Sequence, residues 1–272
     1  MQTESIAAAF RALHHGNDVL LLPNAWDAAS AAVFRGLGAR AIATTSAGLA
    51  WACGYADGDV LPRENLLFAV REIKRVVGDL PLSIDIEGGY SDDPAAVADL
   101  AEQLVELGVA GVNLEDGGGA SSELAAKIEA IVHRCLKKGT DLFVNARCDV
   151  YLRDLASGEA AVTETVARGR AYAQAGAGGL FVPGLSEPDA MRAIARDVDV
   201  PLAIFAVEGL PPARELFALG VRRLSAGEAL AGLAYGAARE AAQAFLRDGN
   251  SAAVLTERNL EYGPTNALFP RN

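Results

Sequence analysis

Residues 106–114 read ELGVAGVNL, residues 174–182 read QAGAGGLFV and residues 218–225 read ALGVRRLS. Each joins the end of an alanine-rich amphipathic stretch to a short apolar run through a glycine, at Gly108, Gly176 or Gly220. Glycine in that place stops a helix, because it enters the left-handed region without a Cβ clash. The apolar run that follows suits a strand buried on both faces. A helix–glycine–strand junction repeated along a chain implies βα units and a parallel sheet.

Outward from these junctions the alternation covers the whole chain. Apolar runs at 19–22, 41–44, 82–86, 111–114, 142–146, 179–182, 202–205 and 223–224 read as strands. Pro62 opens the helix RENLLFAVREIKRVV, and Asp93 with Pro94 opens AAVADLAEQLVEL, since proline is tolerated in a first helical turn. Eight units in 272 residues suit a (β/α)8 TIM barrel. The competing architecture, an open doubly wound sheet, would carry GxGxxG or a P-loop between a strand and a helix, and neither occurs. The barrel therefore predicts that the first and last strands pair. It is expected over residues 1–250, with residues 251–272 as a C-terminal tail that is either interface-forming or a loosely attached terminus.

Hydrophobic residues make up 51% of the chain and charged ones 22%, enough apolar material for a large core. The formal net charge of -11 argues against a nucleic-acid backbone or an anionic membrane as partner. The opening MQTESIAAAF lacks a basic region followed by an apolar core, and the longest uncharged stretch, 41–56, is broken by Thr44, Thr45 and Ser46. A cytoplasmic protein without export signal or membrane span is expected. Cys53, Cys135 and Cys148 are far apart, which argues against a disulfide scaffold and a structural zinc site. With only His14, His15 and His133 available, chemistry must rest on carboxylates, arginine, hydroxyls, backbone amides or a metal.

In a barrel of this kind, reactive side chains gather at the carboxyl ends of the strands. Asp85, Glu87 and Glu115, with Asp116 beside them, fall at two neighbouring strand ends, where their mutual repulsion calls for a cation or protonation. All-oxygen ligands suit Mg²⁺, or Mn²⁺ in its place; the alternative is helix capping or pairing with arginine. Ser46, Ala47 and Gly48 form a small-residue turn whose hydroxyl and amides can hold a carboxylate, or an ordinary loop of small residues. Arg147 can hydrogen-bond a substrate oxyanion, or form a structural ion pair with Asp149 or Asp116. Cys148, one residue on, faces away if Arg147 faces in, and reads as a buried small residue. Tyr90 either binds substrate or walls the pocket, Trp26 and Trp51 pack at the rim, and Gly117 to Gly119 form a turn or a short lid.

Several phrases occur in an order that resembles the isocitrate lyase and phosphoenolpyruvate mutase superfamily, and its short phosphonomutase-type members most of all. They are LLPNAWDAASA (21–31), TTSAGLAWACGYADGD (44–59), DIEGGY (85–90), GVNLEDG (111–117), NARCDVYL (145–152), AGAGGLFVPG (175–184) and LGVRRLSAGEAL (219–230). The resemblance implies a modified barrel whose last helix is swapped between subunits of a homodimer or homotetramer, with Mg²⁺ at the carboxyl ends of the strands. It implies that Ser46, Ala47 and Gly48 bind the substrate carboxylate, that Asp85 ligates the metal and touches substrate, and that Glu87 and Glu115 ligate it, directly or through water. Asp57 in GYADGD matches an acidic residue near the metal waters, and Arg147 the arginine on the substrate's oxo or enolate oxygen. The family's lyases carry KKCGH or KRCGH after strand four; here residues 117–130 read GGGASSELAAKIEA, without Cys or His, and Lys127 falls on the next helix. Gly184 follows Pro183 where the lyases place a glutamate.

The function these residues imply is a Mg²⁺-dependent carbon–carbon lyase acting on a small 2-oxo or 2-hydroxy carboxylate through an enolate. Arg147, Asp57 and Tyr90 are the candidate catalytic residues, with metal-bound water and Cys148 as further proton carriers. The alternatives are P–C bond chemistry on a phosphonopyruvate-like acid and a 2-oxo acid binding protein without turnover.

Overall fold

The computed structural model describes residues 5–269; residues 1–4, at the head of the span expected for the barrel, and 270–272, at the end of the expected tail, lie outside the described residues. Its strands are β1 (Leu20–Leu22), β2 (Asn24–Ala25), β3 (Ile42–Thr44), β4 (Leu82–Asp85), β5 (Gly111–Glu115), β6 (Phe143–Arg147), β7 (Gly179–Phe181), β8 (Leu202–Phe205) and β9 (Val221–Ser225). All pair in parallel, in the order β1-β9-β8-β7-β6-β5-β4-β3-β2. β1 and β2 are two halves of one strand, separated by Pro23 alone. β1 pairs with β9, Leu20 opposite Arg223; β2 pairs with β3, Asn24 opposite Ala43. The first strand thus touches the last and closes an eight-stranded barrel.

Asn24 and Ala25, expected in a loop, instead continue the first strand. Proline has no N–H to give a ladder, yet the Pro23 carbonyl still accepts from the Ala43 amide at 3.2 Å. Asn24 then bolts the seam. Its Nδ2 donates to the Thr44 carbonyl at 2.8 Å, and its Oδ1 accepts from the amides of Ala226 and Gly227 at 2.8 and 3.0 Å.

Helices α1 (Ile6–Leu13), α2 (Ala28–Gly36), α3 (Ser46–Ala52), α4 (Arg63–Val77), α5 (Pro94–Glu106), α6 (Ser121–Lys138), α7 (Gly158–Gln174), α8 (Pro188–Asp197) and α9 (Ala213–Ala218) connect and surround the strands, and α10 (Ala229–Asp248) and α11 (Tyr262–Asn266) follow β9. Their ends obey the start and stop chemistry: Asp27 and Ser30 form a capping box on α2, Asp93 caps α5 ahead of Pro94, and Gly139 takes φ 67° after α6. The amino ends of the strands are plugged by α1. Phe10 there meets Phe143 edge-on at 5.4 Å, and His14 stacks on Phe143 at 4.3 Å. Gly111 is required beneath them, since a Cβ would sit 2.9 Å from the Phe10 ring.

The helix α10 stands apart. In an eightfold barrel the last helix covers the outer face of the first strand, but only Ala231 of α10 is buried, while Leu233, Phe245 and Leu246 are exposed. Leu21, on the outer face of β1, is 53% exposed, in a groove of about 500 Å³ bordered by Phe34, Leu37 and Leu230. The chain then returns: Leu268 and Phe269 pack on the core, with Leu268 near Gly36. Among the described residues no helix is long and apolar enough to cross a membrane.

Candidate active site

A cavity of about 390 Å³ opens at the carboxyl ends of the strands. Asp85 reaches it from the last position of β4, Arg147 from the last position of β6, and Ser46 from the start of α3. Thr45, Ala47 and Asp57 also line it. The segment 46–48 is not a loop turn: it is the first turn of α3, capped by Thr45, whose hydroxyl accepts from the Gly48 amide at 3.5 Å. Gly48 does not line the cavity. A Cβ there would sit 2.7 Å from both Thr45 and Trp26, so packing demands the glycine. Small residues and the absence of charge hid this helix from a reading by periodicity.

Asp85 is held by its own backbone, whose amide donates to the Thr44 hydroxyl at 2.9 Å, and its Oδ1 accepts from the Glu87 amide at 3.3 Å. Burial raises its pKa, against the pull of Arg147. Among the described residues it has no salt-bridge partner of its own, because Arg147 is engaged elsewhere. Arg147 NH1 lies 2.5 Å from Glu115 Oε2, and its Nε and NH2 donate to Asp149 at 2.6 and 3.1 Å. The guanidinium is therefore fixed in plane, with two of its five N–H bonds left for a ligand. Asp149 in turn accepts from Arg153, and its amide donates to Asp116.

The three carboxylates expected to share one metal face different ways. Glu87 Oε2 accepts from the amides of Gly58, at 2.8 Å, and Asp59, and its Oε1 from the Tyr90 hydroxyl at 3.0 Å. Asp59 returns the clasp by accepting from Gly88 and Tyr90 amides at 3.3 and 3.1 Å. Glu87 thus fixes the loop that carries Asp57, at the cost of a left-handed backbone with φ 50°. Glu115 faces Arg147; burial pushes its carboxyl up, Arg147 opposes, and Asp85 and Asp149 add to the rise. Among the described residues no three His, Cys, Asp or Glu side chains form one ligand group. What fits a hard cation is Asp85: an unpaired carboxylate open to the cavity, with Asp57 on the same wall and room for waters and substrate oxygens to complete the shell.

Tyr90 does not line the cavity; its hydroxyl is committed to Glu87, and burial with that carboxylate pushes its pKa up. Cys148 is fully buried in the core, its thiol pushed up to about 12 chiefly by burial. Asp116 is a structural hub that accepts from Tyr172 at 2.7 Å and Arg168 at 2.9 Å. The segment 117–119 is a pinned turn, its Gly119 amide donating to the Asp116 carbonyl at 2.7 Å and its carbonyl accepting from Arg168 at 2.8 Å. Lys127, on α6, donates to the Gly88 carbonyl at 2.7 Å.

Five contributors were not anticipated from the sequence. Asn113 lines the cavity floor and accepts from Asn145 at 2.9 Å and from Arg223 at 3.3 Å. Arg223 is fully buried inside the barrel, with Asp85 the charge nearest in effect and burial lowering its pKa to about 10. The alternation Val221, Arg223, Ser225 would have placed it inward. Glu228 lines the mouth from the head of α10, and Phe181 and Phe205 wall the opposite side.

A family model described as phosphoenolpyruvate phosphomutase matches residues 10–246. An uncharacterized protein of Mycobacterium tuberculosis (strain H37Rv) is 38% identical over 224 residues, which cover 80% of this chain and 81% of the relative. The crystal structure of a Burkholderia cenocepacia J2315 protein shares 34% identity at a TM-score of 0.85, covering 96% of this chain and 94% of that one. That of 2,3-dimethylmalate lyase, described as a PEP mutase/isocitrate lyase superfamily member, shares 27% at 0.84, covering 98% and 95%.

Proposed function

The chain belongs to the phosphoenolpyruvate phosphomutase family, an enzyme of the superfamily of Mg²⁺-dependent lyases and mutases, and on that premise we propose that it cleaves a carbon–carbon bond in a small 2-oxo or 2-hydroxy carboxylate through an enolate. One observation carries this reading: Asp85, Ser46 and Arg147 converge on one cavity, the first without an ion pair and the last held rigid by Glu115 and Asp149. Asp85, with Asp57 acting through water, would hold Mg²⁺, which would supply a Lewis acid for the substrate's oxygens, while Glu87 and Glu115 stay committed to the Asp57 loop and to Arg147. Ser46 and the Ala47 amide hold the carboxylate. As the bond breaks, negative charge grows on the substrate's C2 oxygen, and Arg147 donates to that oxygen without having to reorganise. Tyr90 acts through Glu87, keeping the Asp57 loop in place. Asp57, exposed at the mouth, carries the proton that the reaction moves.

The partner of α10 is a second copy of the chain. Its exposed leucines and the open groove along β1 support an exchange of last helices in a homodimer or homotetramer.

Calorimetry with Mg²⁺ and oxalate, followed by NMR of a panel of 2-oxo and 2-hydroxy acids, tests the reading. Oxalate binding that requires Mg²⁺ and disappears in Asp85→Ala, with pyruvate, glyoxylate or carbon dioxide released from a panel member, is expected. Isomerisation of phosphonopyruvate, or release of phosphate from it, without any carbon–carbon cleavage would move the assignment to P–C chemistry.

A further inference from the structure

The rim of the cavity is divided. The sector from β2 to β5 presents Ser46, Asp57, Asp85 and Asn113, and the sector from β6 to β8, past Arg147 at its edge, presents Leu152, Phe181, Pro183 and Phe205. Phe181 and Phe205 pack edge to face at 6.3 Å. Phe205 is backed by Gly227, where a Cβ would approach its ring to 2.9 Å, so the ring is wedged in position. Arg147 is the one cation lining the cavity among the described residues, and most of its donors are spent on Glu115 and Asp149. The other charges at the wall, Asp57, Asp85 and Glu228, are negative.

We infer that the substrate carries a single carboxylate, on its 2-oxo or 2-hydroxy head, and that the fragment cleaved from it is apolar and lies against Phe181, Phe205 and Leu152. The inference rests on the head-binding role given above to Asp85, Ser46 and Arg147. A second carboxylate would point at two aromatic rings or at Glu228, lose its hydration and gain no cation, which is a heavy penalty for an ionised group. An alkyl or aryl group in the same place removes apolar surface from water on both sides. Without a cysteine or lysine at the cavity wall among the described residues, the cleavage that needs no further reactant is aldol-type. A 4-hydroxy-2-oxo acid loses its hydroxyl proton to Asp57 or water; the C3–C4 bond breaks, its electron pair becoming the enolate; and a proton adds at C3. The products are pyruvate and an apolar aldehyde, so an aldehyde-consuming oxidation or reduction is the class of reaction that follows.

Two inert ligands with the same head separate the possibilities: N-benzyloxamate, with an apolar tail, and N-oxalylglycine, with a second carboxylate. Calorimetry of the full-length protein with Mg²⁺ is expected to give N-benzyloxamate at least about tenfold tighter binding, the scale of discrimination a hydrophobic pocket achieves. Phe205→Lys should reverse the order. Leu152→Lys, at a 44% exposed loop position where folding is insensitive to the change, should narrow the ratio in the same direction. Oxalate binding with N-oxalylglycine equal or tighter in the unaltered protein would overturn this inference and leave the head site standing. Failure of oxalate to bind with Mg²⁺ would overturn the head site and this inference with it.

Discussion

At the amino ends of β5 and β6 the chain packs Phe10, Phe143 and His14 ring against ring, and at their carboxyl ends the same two strands deliver Arg147 to an open cavity and Glu115 to the flank of Arg147. Three residues lie between Phe143 and Arg147, yet one end is closed and crowded and the other charged and open. The contrast teaches where each end's free energy goes. Below, apolar contacts hold the barrel shut; above, carboxylates are kept near one another at a cost to stability that a ligand relieves.

The two ends should therefore separate stability from activity. Asp85→Ala is expected to abolish Mg²⁺-dependent ligand binding and lower turnover by about a thousandfold or more, as loss of a central electrostatic group does, while the melting temperature holds or rises. A large fall in melting temperature would break the comparison. Phe10→Ala, at the opposite end, should cost about 3–5 kcal/mol in chemical denaturation and leave the KM of the folded enzyme unchanged.

His14 sharpens the contrast through pH. Its Nδ1 lies 2.9 Å from the Phe10 carbonyl, its Nε2 is buried without a partner among the described residues, and burial, aided by Arg223, lowers its pKa to about 3. The unfolded chain protonates this group near its ordinary pKa of about 6.5, so between the two values the unfolded state binds more protons. Stability is unaffected above pH 6.5 and falls as pH drops, by about 2 kcal/mol at pH 5. His14→Leu should flatten that part of the denaturation–pH profile relative to the unaltered protein; identical slopes would mean that the histidine is not held neutral. Smallest of all, Tyr90→Phe removes one hydrogen bond to Glu87 and should cost about 1 kcal/mol, with a rate loss under about tenfold. A loss as large as that of Asp85→Ala would make Tyr90 a group that touches substrate.

The barrel was legible because each buried strand is an apolar run bounded by its own punctuation, and because parallel pairing turns strand ends into one rim. That logic brought Asp85, Ser46 and Arg147 to the cavity from three separate phrases, and Asp57 was reached only through the resemblance. It missed the second half of the first strand, since Pro23 reads as a terminus when only one side of the ladder is considered. It missed what Glu87 does, because the Asp59–Glu87 clasp joins two loops whose meeting no local pattern encodes. Arg147 and Asp149 two residues apart did signal their pairing, through the shared face of an extended segment. Arg223 stayed hidden because a charge inside a barrel contradicts the pattern by which cores are recognised.

The seam at Pro23 and Asn24 also sets a timetable. Leu20 pairs with Arg223 and Asn24 bonds Ala226, roughly two hundred positions away, so the first strand made on the ribosome is the last to find both neighbours. Until β9 emerges, β1 has an unpaired edge and the nascent sheet is an open crescent. The Asn24 side chain is then a latch that only a finished barrel can engage, and amide exchange at Ala226 and Gly227 should report the moment of closure.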